Sequence, residues 1–259
     1  MKKLVMAICI LALSALMFSL ASCGSEEASS GGKKMNTPEK STSEKSSNVE
    51  KVLSKITINE QSSIRIATDK TLYFDPFCLE VEPHDADVIF ITHAHYDHFS
   101  PEDIEKVAKD DTVYVIPKSM SSDLADIGID ARSIVALSPG ESANVEGYAV
   151  ETVSAYNTNK SFHPKSNGWV GYIITVEGVR VYAAGDTDAT DEAKAVKCDI
   201  ALLPIGGTYT MDAKEARELA KILAPSAAIP IHYGTVVGSP DDYDTFADGL
   251  SVAVKKLFN

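Results

Sequence analysis

One short stretch, rich in histidine, limits the possible folds of this chain more than any other feature. It contains His93, His95, Asp97 and His98, and therefore three of the six histidines in the sequence. The stretch follows an apolar run and precedes a Ser-Pro pair, which is the pattern of a buried strand ending in a loop before a helix. Alternate residues of a strand point to one face, so His93 and His95 can reach one point. Asp97 and His98 lie just beyond, where the chain turns, and can reach a second point nearby.

The side-chain types in this stretch favour a metal site. Imidazoles suit Zn, Mn and Fe, and carboxylates suit the harder of these ions. The alternative is a loop that carries three unrelated surface histidines, and such dense spacing makes that a poor explanation. A metal site of this kind needs further ligands from elsewhere in the chain, so the remaining histidines become candidates.

The first 22 residues have the pattern of a secretory signal. Lys2 and Lys3 precede an apolar run over residues 4–20. The run ends in Leu-Ala-Ser-Cys at 20–23, which resembles a bacterial lipobox, where the cysteine becomes the first mature residue and is acylated. An ordinary signal peptide and an uncleaved anchor are the alternatives. We predict a lipoprotein signal peptide over 1–22 and lipidation at Cys23, which would hold an extracytoplasmic protein to a bacterial membrane.

The remaining chain divides into a tether and one domain. Residues 23–51 are mostly Ser, Gly, Glu, Lys and Thr, and a segment with so few apolar side chains is predicted to be a flexible tether. Residues 52–259 have the length of a single domain. The formal net charge of −13 disfavours nucleic acid and anionic headgroups as partners, but it allows a small-molecule substrate. Membrane contact is therefore expected through the lipid anchor only, and the sequence leaves the oligomeric state open.

Residues 52–259 begin with hairpin-like strands and then alternate strands with helices. The predicted strands cover 56–58, 63–66, 71–74, 88–92, 112–116, 133–137, 148–153, 169–176, 179–184, 199–204 and 227–231. One predicted helix begins at residue 100, and three more cover 119–127, 212–223 and 242–257. Asp212 and Glu215 are predicted to form a capping box at the start of the helix over 212–223. Cys78 and Cys198 could form a disulfide outside the cytoplasm, and two buried free thiols are equally compatible.

Further candidate ligands lie beside strands in the second half of the chain. His163 lies in a loop before a strand, Asp186 follows Gly185 at the end of another strand, and His232 ends the last strand. Strand ends meet at one edge of a sheet, where the sites of layered α/β proteins usually lie. His84 lies in a polar loop and matches no motif.

In this order, the histidine stretch, His163, Gly-Asp-Thr at 185–187 and His-Tyr-Gly at 232–234 resemble the metal motifs of the metallo-β-lactamase-fold hydrolases. The resemblance covers nearly all of 56–235. The strings at 166–172, 203–207 and 229–234 are similar to the branch that contains ascorbate-6-phosphate lactonase-like proteins. The fold that this resemblance implies is an α/β, four-layer αββα sandwich.

The resemblance also implies a role for each candidate ligand. His93, His95 and His163 match the ligands of one metal ion. Asp97, His98 and His232 match those of a second ion, and Asp186 matches the carboxylate that bridges both. Two divalent ions about 3.5–4 Å apart can share a water and lower its pKa, so a bridging hydroxide would be the nucleophile. Zinc suits this ligand set, and manganese and iron also fit.

The resemblance gives Asp97 a catalytic role, because a ligand at this position can also orient water or relay a proton. Lys165, Thr208 and Tyr209 lie near the motifs and could contact substrate, although ordinary loop residues explain them equally well. The function expected from the resemblance is hydrolysis of a small ester, lactone or phosphoester. A phosphodiesterase or nuclease on the same fold, a non-catalytic metal-binding lipoprotein and, least favoured, a β-lactam hydrolase are the alternatives.

Overall fold

Two six-stranded β-sheets, both mixed, face each other in the computed structural model, which describes residues 38–254. The first sheet has its strands in sequence order, and the second has the order β12-β11-β10-β9-β8-β7. The first sheet consists of β1 Ile56–Ile58, β2 Ile64–Ala67, β3 Thr71–Phe74, β4 Val88–Phe90, β5 Val113–Pro117 and β6 Ile134–Leu137. The second consists of β7 Ser142–Val145, β8 Tyr148–Ser154, β9 Val170–Val176, β10 Val179–Ala183, β11 Ile200–Pro204 and β12 Ala227–Ile231.

Six α-helices of the described residues surround the two sheets. They are α1 Pro38–Ser54, α2 Pro101–Val107, α3 Ser121–Asp126, α4 Asp191–Lys194, α5 Ala213–Leu223 and α6 Asp242–Ala247. Side chains of α2 and α3 pack on the outer face of the first sheet. Side chains of α4, α5 and α6 pack on the outer face of the second sheet. The predicted α/β, four-layer αββα sandwich is confirmed.

Strand periodicity divides the apolar side chains between the layers. In β9, Tyr172 and Ile174 belong to the core between the sheets, whereas Ile173 belongs to the core under the outer helices. This alternation is the reason that β9 is buried on both faces and contains an almost continuous apolar run. The predicted capping box of α5 is present, with the Asp212 side chain accepting from the backbone N–H groups of Lys214 and Glu215.

Parallel pairing sets the position of the loops that matter for function. Strands β3 to β6 run parallel to one another, as do β10, β11 and β12. Parallel strands of one sheet have their carboxyl ends at the same edge. The loops after β10 and β12 therefore lie at one edge of the second sheet, and the loop after β4 lies at the carboxyl edge of the parallel strands of the first sheet.

The predicted tether is wrong for residues 38–51, which form most of α1. Val49 and Val52 are buried in the core between the sheets, and the partly buried Leu53 packs against them. Val52 and Leu53 follow Val49 by three and four residues, so the three side chains share one helical face that an average composition conceals. The domain therefore begins before residue 52. The remaining tether, the signal peptide and Cys23 lie outside the described residues.

The C-terminal helix is shorter than the predicted 242–257. Helix α6 ends at Ala247, and Gly249 takes a left-handed φ of 71°, which a continuing helix does not allow. The chain then returns to β12, where the Ala228 N–H donates to Val252 O and the Val254 N–H donates to Ala228 O. Within residues 38–254, none of the helices combines the length and apolarity needed to cross a bilayer.

Candidate metal centre

The structure brings all seven predicted site residues together. The loop after β4 carries four of them, the loop before β9 carries His163, and the ends of β10 and β12 carry Asp186 and His232. Six are buried, and His95 is half-buried. Their ligand atoms form three overlapping groups, each with its atoms within 4.8 Å of one another. The groups are His93-His95-His163, Asp97-His98-His232 and His93-His98-Asp186.

Asp186 lies between the two outer groups. Its Oδ2 is 3.3 Å from His163 Nε2 on one side and 3.3 Å from His232 Nε2 on the other. In the first group, His93 Nε2 lies 3.0 Å from His95 Nδ1. In the second group, Asp97 Oδ2 lies 3.3 Å from His232 Nε2 and 3.5 Å from His98 Nε2. The arrangement is two neighbouring sets of donors with one shared carboxylate.

Several buried nitrogen and oxygen atoms of the site lack hydrogen-bond partners within residues 38–254 and would be satisfied by a bound cation. His98 Nε2, His163 Nε2 and Asp186 Oδ1 are buried and have no hydrogen-bond partner among the described residues. Leaving such groups unsatisfied costs roughly 1–3 kcal/mol each, and more when the group is charged. A cation with imidazole and carboxylate ligands would satisfy them, and this donor set suits zinc, manganese or iron.

The pKa shifts of the site histidines also favour a bound cation. Burial lowers the pKa of His93 well below its ordinary value, and burial with the neighbouring His163 lowers the pKa of His95. Both rings are therefore neutral near pH 7, which is the form that ligates metals. At His98, burial opposes the charge, but Asp186 and Asp75 raise the pKa well above the ordinary value. The carboxylates thus favour positive charge here, and a bound cation would supply it.

Comparison with known proteins identifies the family. Residues 55–232 match the family described as Beta-lactamase superfamily domain. A UPF0173 metal-dependent hydrolase from Salinibacter ruber is 33% identical over 207 residues, which cover 74% of this chain and 90% of the relative. The chain belongs to the metallo-β-lactamase superfamily. Within that superfamily it is a UPF0173 metal-dependent hydrolase, and the predictions of an enzyme and of this fold family are confirmed.

Two further relatives agree with this assignment. A UPF0173 metal-dependent hydrolase from Thermoplasma acidophilum is 32% identical over 177 residues, which cover 64% of this chain and 77% of the relative. A solved structure from Parabacteroides distasonis, assigned as a metal-dependent hydrolase, is 29% identical with a TM-score of 0.65. It covers 78% of this chain and 91% of its own.

Asp75 supports the centre of this UPF0173 hydrolase, although no motif contains it. It lies just after β3, with a left-handed φ of 43° and a side chain that is almost completely buried. Its carboxylate accepts from the Thr92 backbone N–H at 2.8 Å and the Thr92 hydroxyl at 2.6 Å. Its Oδ2 also lies 2.8 Å from His98 Nδ1. Such partners fix the orientation of a ligating histidine.

Asn157 and Trp169 support the first group of histidines. Asn157 Oδ1 lies 3.0 Å from His163 Nδ1 and accepts from the His163 backbone N–H, while its amide donates to Asp188. The Trp169 ring lies 4.9–5.6 Å, between ring centroids, from His93, His95 and His163. The sequence contained one signal for Trp169, its place directly after the Asn-Gly pair in the string at 166–172, but none for its contact with the histidines.

A close backbone approach holds His232 in place. His232 has a left-handed φ of 56°, and its N–H donates to Gln61 O at 2.9 Å. A Cβ atom on Gly206 would lie 2.4 Å from His232 O, so only glycine fits there. The Gly-Gly pair of the string at 203–207 thus has a packing role beside the site.

A cavity of about 310 Å³ opens over the centre. His95, Asp97 and Asp186 line its inner part, and Tyr209, which the sequence left open as either a substrate contact or an ordinary loop residue, lines its wall. Lys165 instead pairs with Glu192, and its Nζ lies 4.6 Å from the centre of the Tyr156 ring.

Four other residues considered in the sequence lie apart from the cavity lining. Thr208 is an exposed loop residue. His84, which matches no motif, has its Nδ1 3.0 Å from Ala108 O. Cys78 and Cys198 are both free thiols, the first exposed and the second partly buried, so they do not form the disulfide.

Proposed function

We propose that this metal-dependent hydrolase uses two divalent metal ions to hydrolyse a small ester, lactone or phosphoester. His93, His95 and His163 would hold one ion, and Asp97, His98 and His232 would hold the other. Asp186 would contact both ions. The single observation that carries the proposal is the position of Asp186, whose Oδ2 lies 3.3 Å from a histidine nitrogen of each group.

The chemistry follows from the charges around the cavity. When bound, a pair of such ions lowers the pKa of water towards neutrality and polarises a carbonyl or phosphoryl oxygen. Asp97 lines the cavity and belongs to the second group, so its carboxylate can orient the attacking water and accept its proton. Burial opposes charge on Asp97, but His232 and His98 keep its pKa below the ordinary value. Zinc is the ion we propose first, with manganese and iron compatible.

The test combines metal analysis with a substrate screen. The full-length chain is purified, its metals are measured by mass spectrometry, and lactones, aryl esters and phosphodiesters are assayed. We expect two metal ions per chain, turnover of an ester or lactone, and at least a 100-fold loss of kcat in Asp97→Ala. Asp130→Ala, at a surface carboxylate paired with Arg132, is the control and should keep full activity.

Each negative result in this test has its own meaning. Two ions without turnover of any class would favour the non-catalytic metal-binding protein. Phosphodiester cleavage alone would favour the phosphodiesterase. One ion per chain in the active protein would contradict the two-ion centre.

We also propose that the protein is a lipoprotein of the ascorbate-6-phosphate lactonase-like branch, anchored outside the cytoplasm through Cys23. The support is the signal pattern over 1–22, the Leu-Ala-Ser-Cys tetrad and the strings at 166–172, 203–207 and 229–234. Cys23→Ala should move the protein from the membrane fraction to the soluble fraction, whereas Cys78→Ala should not. Unchanged partitioning of Cys23→Ala would contradict the anchor.

A further inference from the structure

The mouth of the cavity is apolar, although its inner part is polar. The rim consists of Tyr96, Phe162, Tyr209 and Val236, which are 65%, 46%, 36% and 45% exposed. Single exposed apolar side chains are common on proteins and need no explanation. Here four of the seven large apolar side chains that are exposed among residues 38–254 gather around one opening. A patch of this kind beside a concave site is typical of ligand binding.

Two of the rim residues are direct sequence neighbours of candidate metal ligands. Tyr96 lies between His95 and Asp97 in sequence, and Phe162 directly precedes His163. The Phe162 and Tyr209 rings pack edge to face with their centroids 4.7 Å apart, and Tyr96 packs in the same way on Phe77 at 5.9 Å. The rings are therefore held in place, and a group that packs on them lies close to the reacting atoms.

Among the described residues, no positively charged side chain lines the cavity. None of its seven lining residues is lysine or arginine. The two lysines of the nearby loop have other partners, because Lys160 pairs with Asp188 at 2.7 Å and Lys165 pairs with Glu192 at 2.5 Å. Proteins recognise phosphate and carboxylate groups mainly through arginine and lysine. A substrate with an anionic group away from the reacting bond would find no partner for it in this lining.

The size of the cavity limits the substrate further. Its volume of about 310 Å³ is near the lower end of the range of roughly 300–1,000 Å³ for ligand pockets. A short alkyl chain or one ring, together with the reacting ester group, fills such a space.

We propose that the substrate is a small uncharged ester or lactone with an alkyl or aryl group that packs on Tyr96, Phe162 and Tyr209. The proposal rests on the hydrolase function proposed above. Water adds to the acyl carbon, the bond between that carbon and the ester oxygen breaks, and the proton of the water passes to the departing oxygen. The products are a carboxylic acid and an alcohol, which are one molecule when the substrate is a lactone.

The first test measures turnover along a homologous series. The metal-loaded, full-length chain is assayed with γ-butyrolactone, γ-hexalactone and γ-octalactone, and with the polar gluconolactone. We expect kcat/KM to rise by up to about fourfold per added methylene until the cavity is filled. Phe162→Ser and Tyr209→Ser should flatten this rise. Ile222→Ser, which removes an equally exposed apolar side chain from α5, should leave it unchanged.

The second test measures binding without turnover. Trp169 is the only tryptophan and lies beside His93, His95 and His163, so its fluorescence reports on the site. Titration with acetate, butyrate and hexanoate should show the same increase in affinity with chain length, and Phe162→Ser should reduce it.

The two tests separate the failure of each proposal. Equal affinity for acetate and hexanoate, or faster turnover of gluconolactone or of phosphorylated esters, would overturn the apolar substrate class. Chain-length-dependent binding in a metal-loaded protein that hydrolyses none of the lactones or esters would overturn the proposed hydrolysis and leave the apolar site supported.

Discussion

The carboxylate of Asp75 fixes the orientation of His98, which is one of the proposed metal ligands. Burial raises the pKa of Asp75, and the contacts with His98 and Thr92 oppose that rise. The same side chain accepts a hydrogen bond from the backbone N–H of Thr92, the residue before His93. Asp75 therefore fixes both the ring of His98 and the start of the histidine loop.

Asp75→Asn should weaken metal binding more than it weakens the fold. Asparagine keeps the volume of the side chain but removes the negative charge beside His98 Nδ1, and losing such a partner typically costs 10- to 100-fold in metal affinity. Competition with a chromophoric chelator measures this loss. Asp85→Asn, at a carboxylate paired with Arg65 away from the site, is the matched control. Equal affinities for the two variants would show that Asp75 does not tune the centre.

Cys198 should resist alkylation in the native protein. Burial, with Asp199 beside it, raises the pKa of its thiol to about 12. At pH 8 only about one such thiol in ten thousand is ionised, and the thiolate is the reactive form. Because the folded pKa lies above the unfolded one, the stability that this thiol contributes is complete at pH 8 and is lost as the pH rises towards 12.

Peptide mapping after iodoacetamide treatment compares Cys198 with the exposed Cys78. We expect Cys198 to react at least 100-fold more slowly at pH 8, and to approach the rate of Cys78 once the protein is unfolded in urea. Comparable native rates would contradict the burial of Cys198.

At the residue scale, the sequence predicted the candidate ligands but not their supporting contacts. The order of the motifs and the resemblance to the metallo-β-lactamase-fold hydrolases placed His163 and His232 with the histidine loop. Asp75 and Asn157 gave no such signal, because their importance comes from tertiary hydrogen bonds. An Asp-Pro pair after a strand looks like an ordinary turn until the neighbouring strand is known.

Helix α1 is the element that sequence composition described least well. Most of its residues are polar, and the side chains shown to enter the core come from its last two turns. A few apolar residues at helical spacing are enough to attach such a segment, since tertiary packing rather than propensity provides most helix stability.

Val52→Ala should destabilise the domain by about 2 kcal/mol, because it removes two buried methyl groups and leaves a cavity. Glu50→Ala, at an exposed position on the same helix, should change the free energy of unfolding by less than about 0.5 kcal/mol. Urea denaturation measures both. Equal midpoints and slopes would mean that α1 does not pack on the sandwich in solution.

The other elements show where pattern reasoning succeeds. Strands with apolar runs, such as β4, β9 and β12, were predicted to within one or two residues. Strand β7 was missed, because Ser142–Val145 is half-exposed and its alternation of polar and apolar residues extends over only four residues. The end of α6 was misplaced, because Gly249 interrupts an apolar pattern that would otherwise continue the helix.

For the whole molecule, folding creates the site at a cost that a metal can offset. The chain carries a net charge of −13, and the fold gathers the buried carboxylates of Asp75, Asp97 and Asp186 with five histidines. Like charges held together in a low-dielectric interior oppose folding. Ions that bind only the folded arrangement therefore stabilise it by linkage.

Metal removal should lower the melting temperature by roughly 5–10 °C. An ion present at 100 times its Kd stabilises the fold by about 2.7 kcal/mol. Each kcal/mol shifts the melting temperature of a domain of this size by about 2–4 °C. Differential scanning calorimetry of the full-length chain, before and after dialysis against EDTA, measures the difference.

Two histidine variants decide whether this difference comes from the proposed centre. His163→Ala should reduce the shift strongly, because it removes a buried candidate ligand from the first group. His84→Ala should leave the shift unchanged, because this histidine is exposed and belongs to none of the three groups. If metal-loaded and EDTA-treated protein melted at the same temperature, the seven side chains would hold no ion that matters to the fold. In that case the convergence of the seven side chains would need another cause.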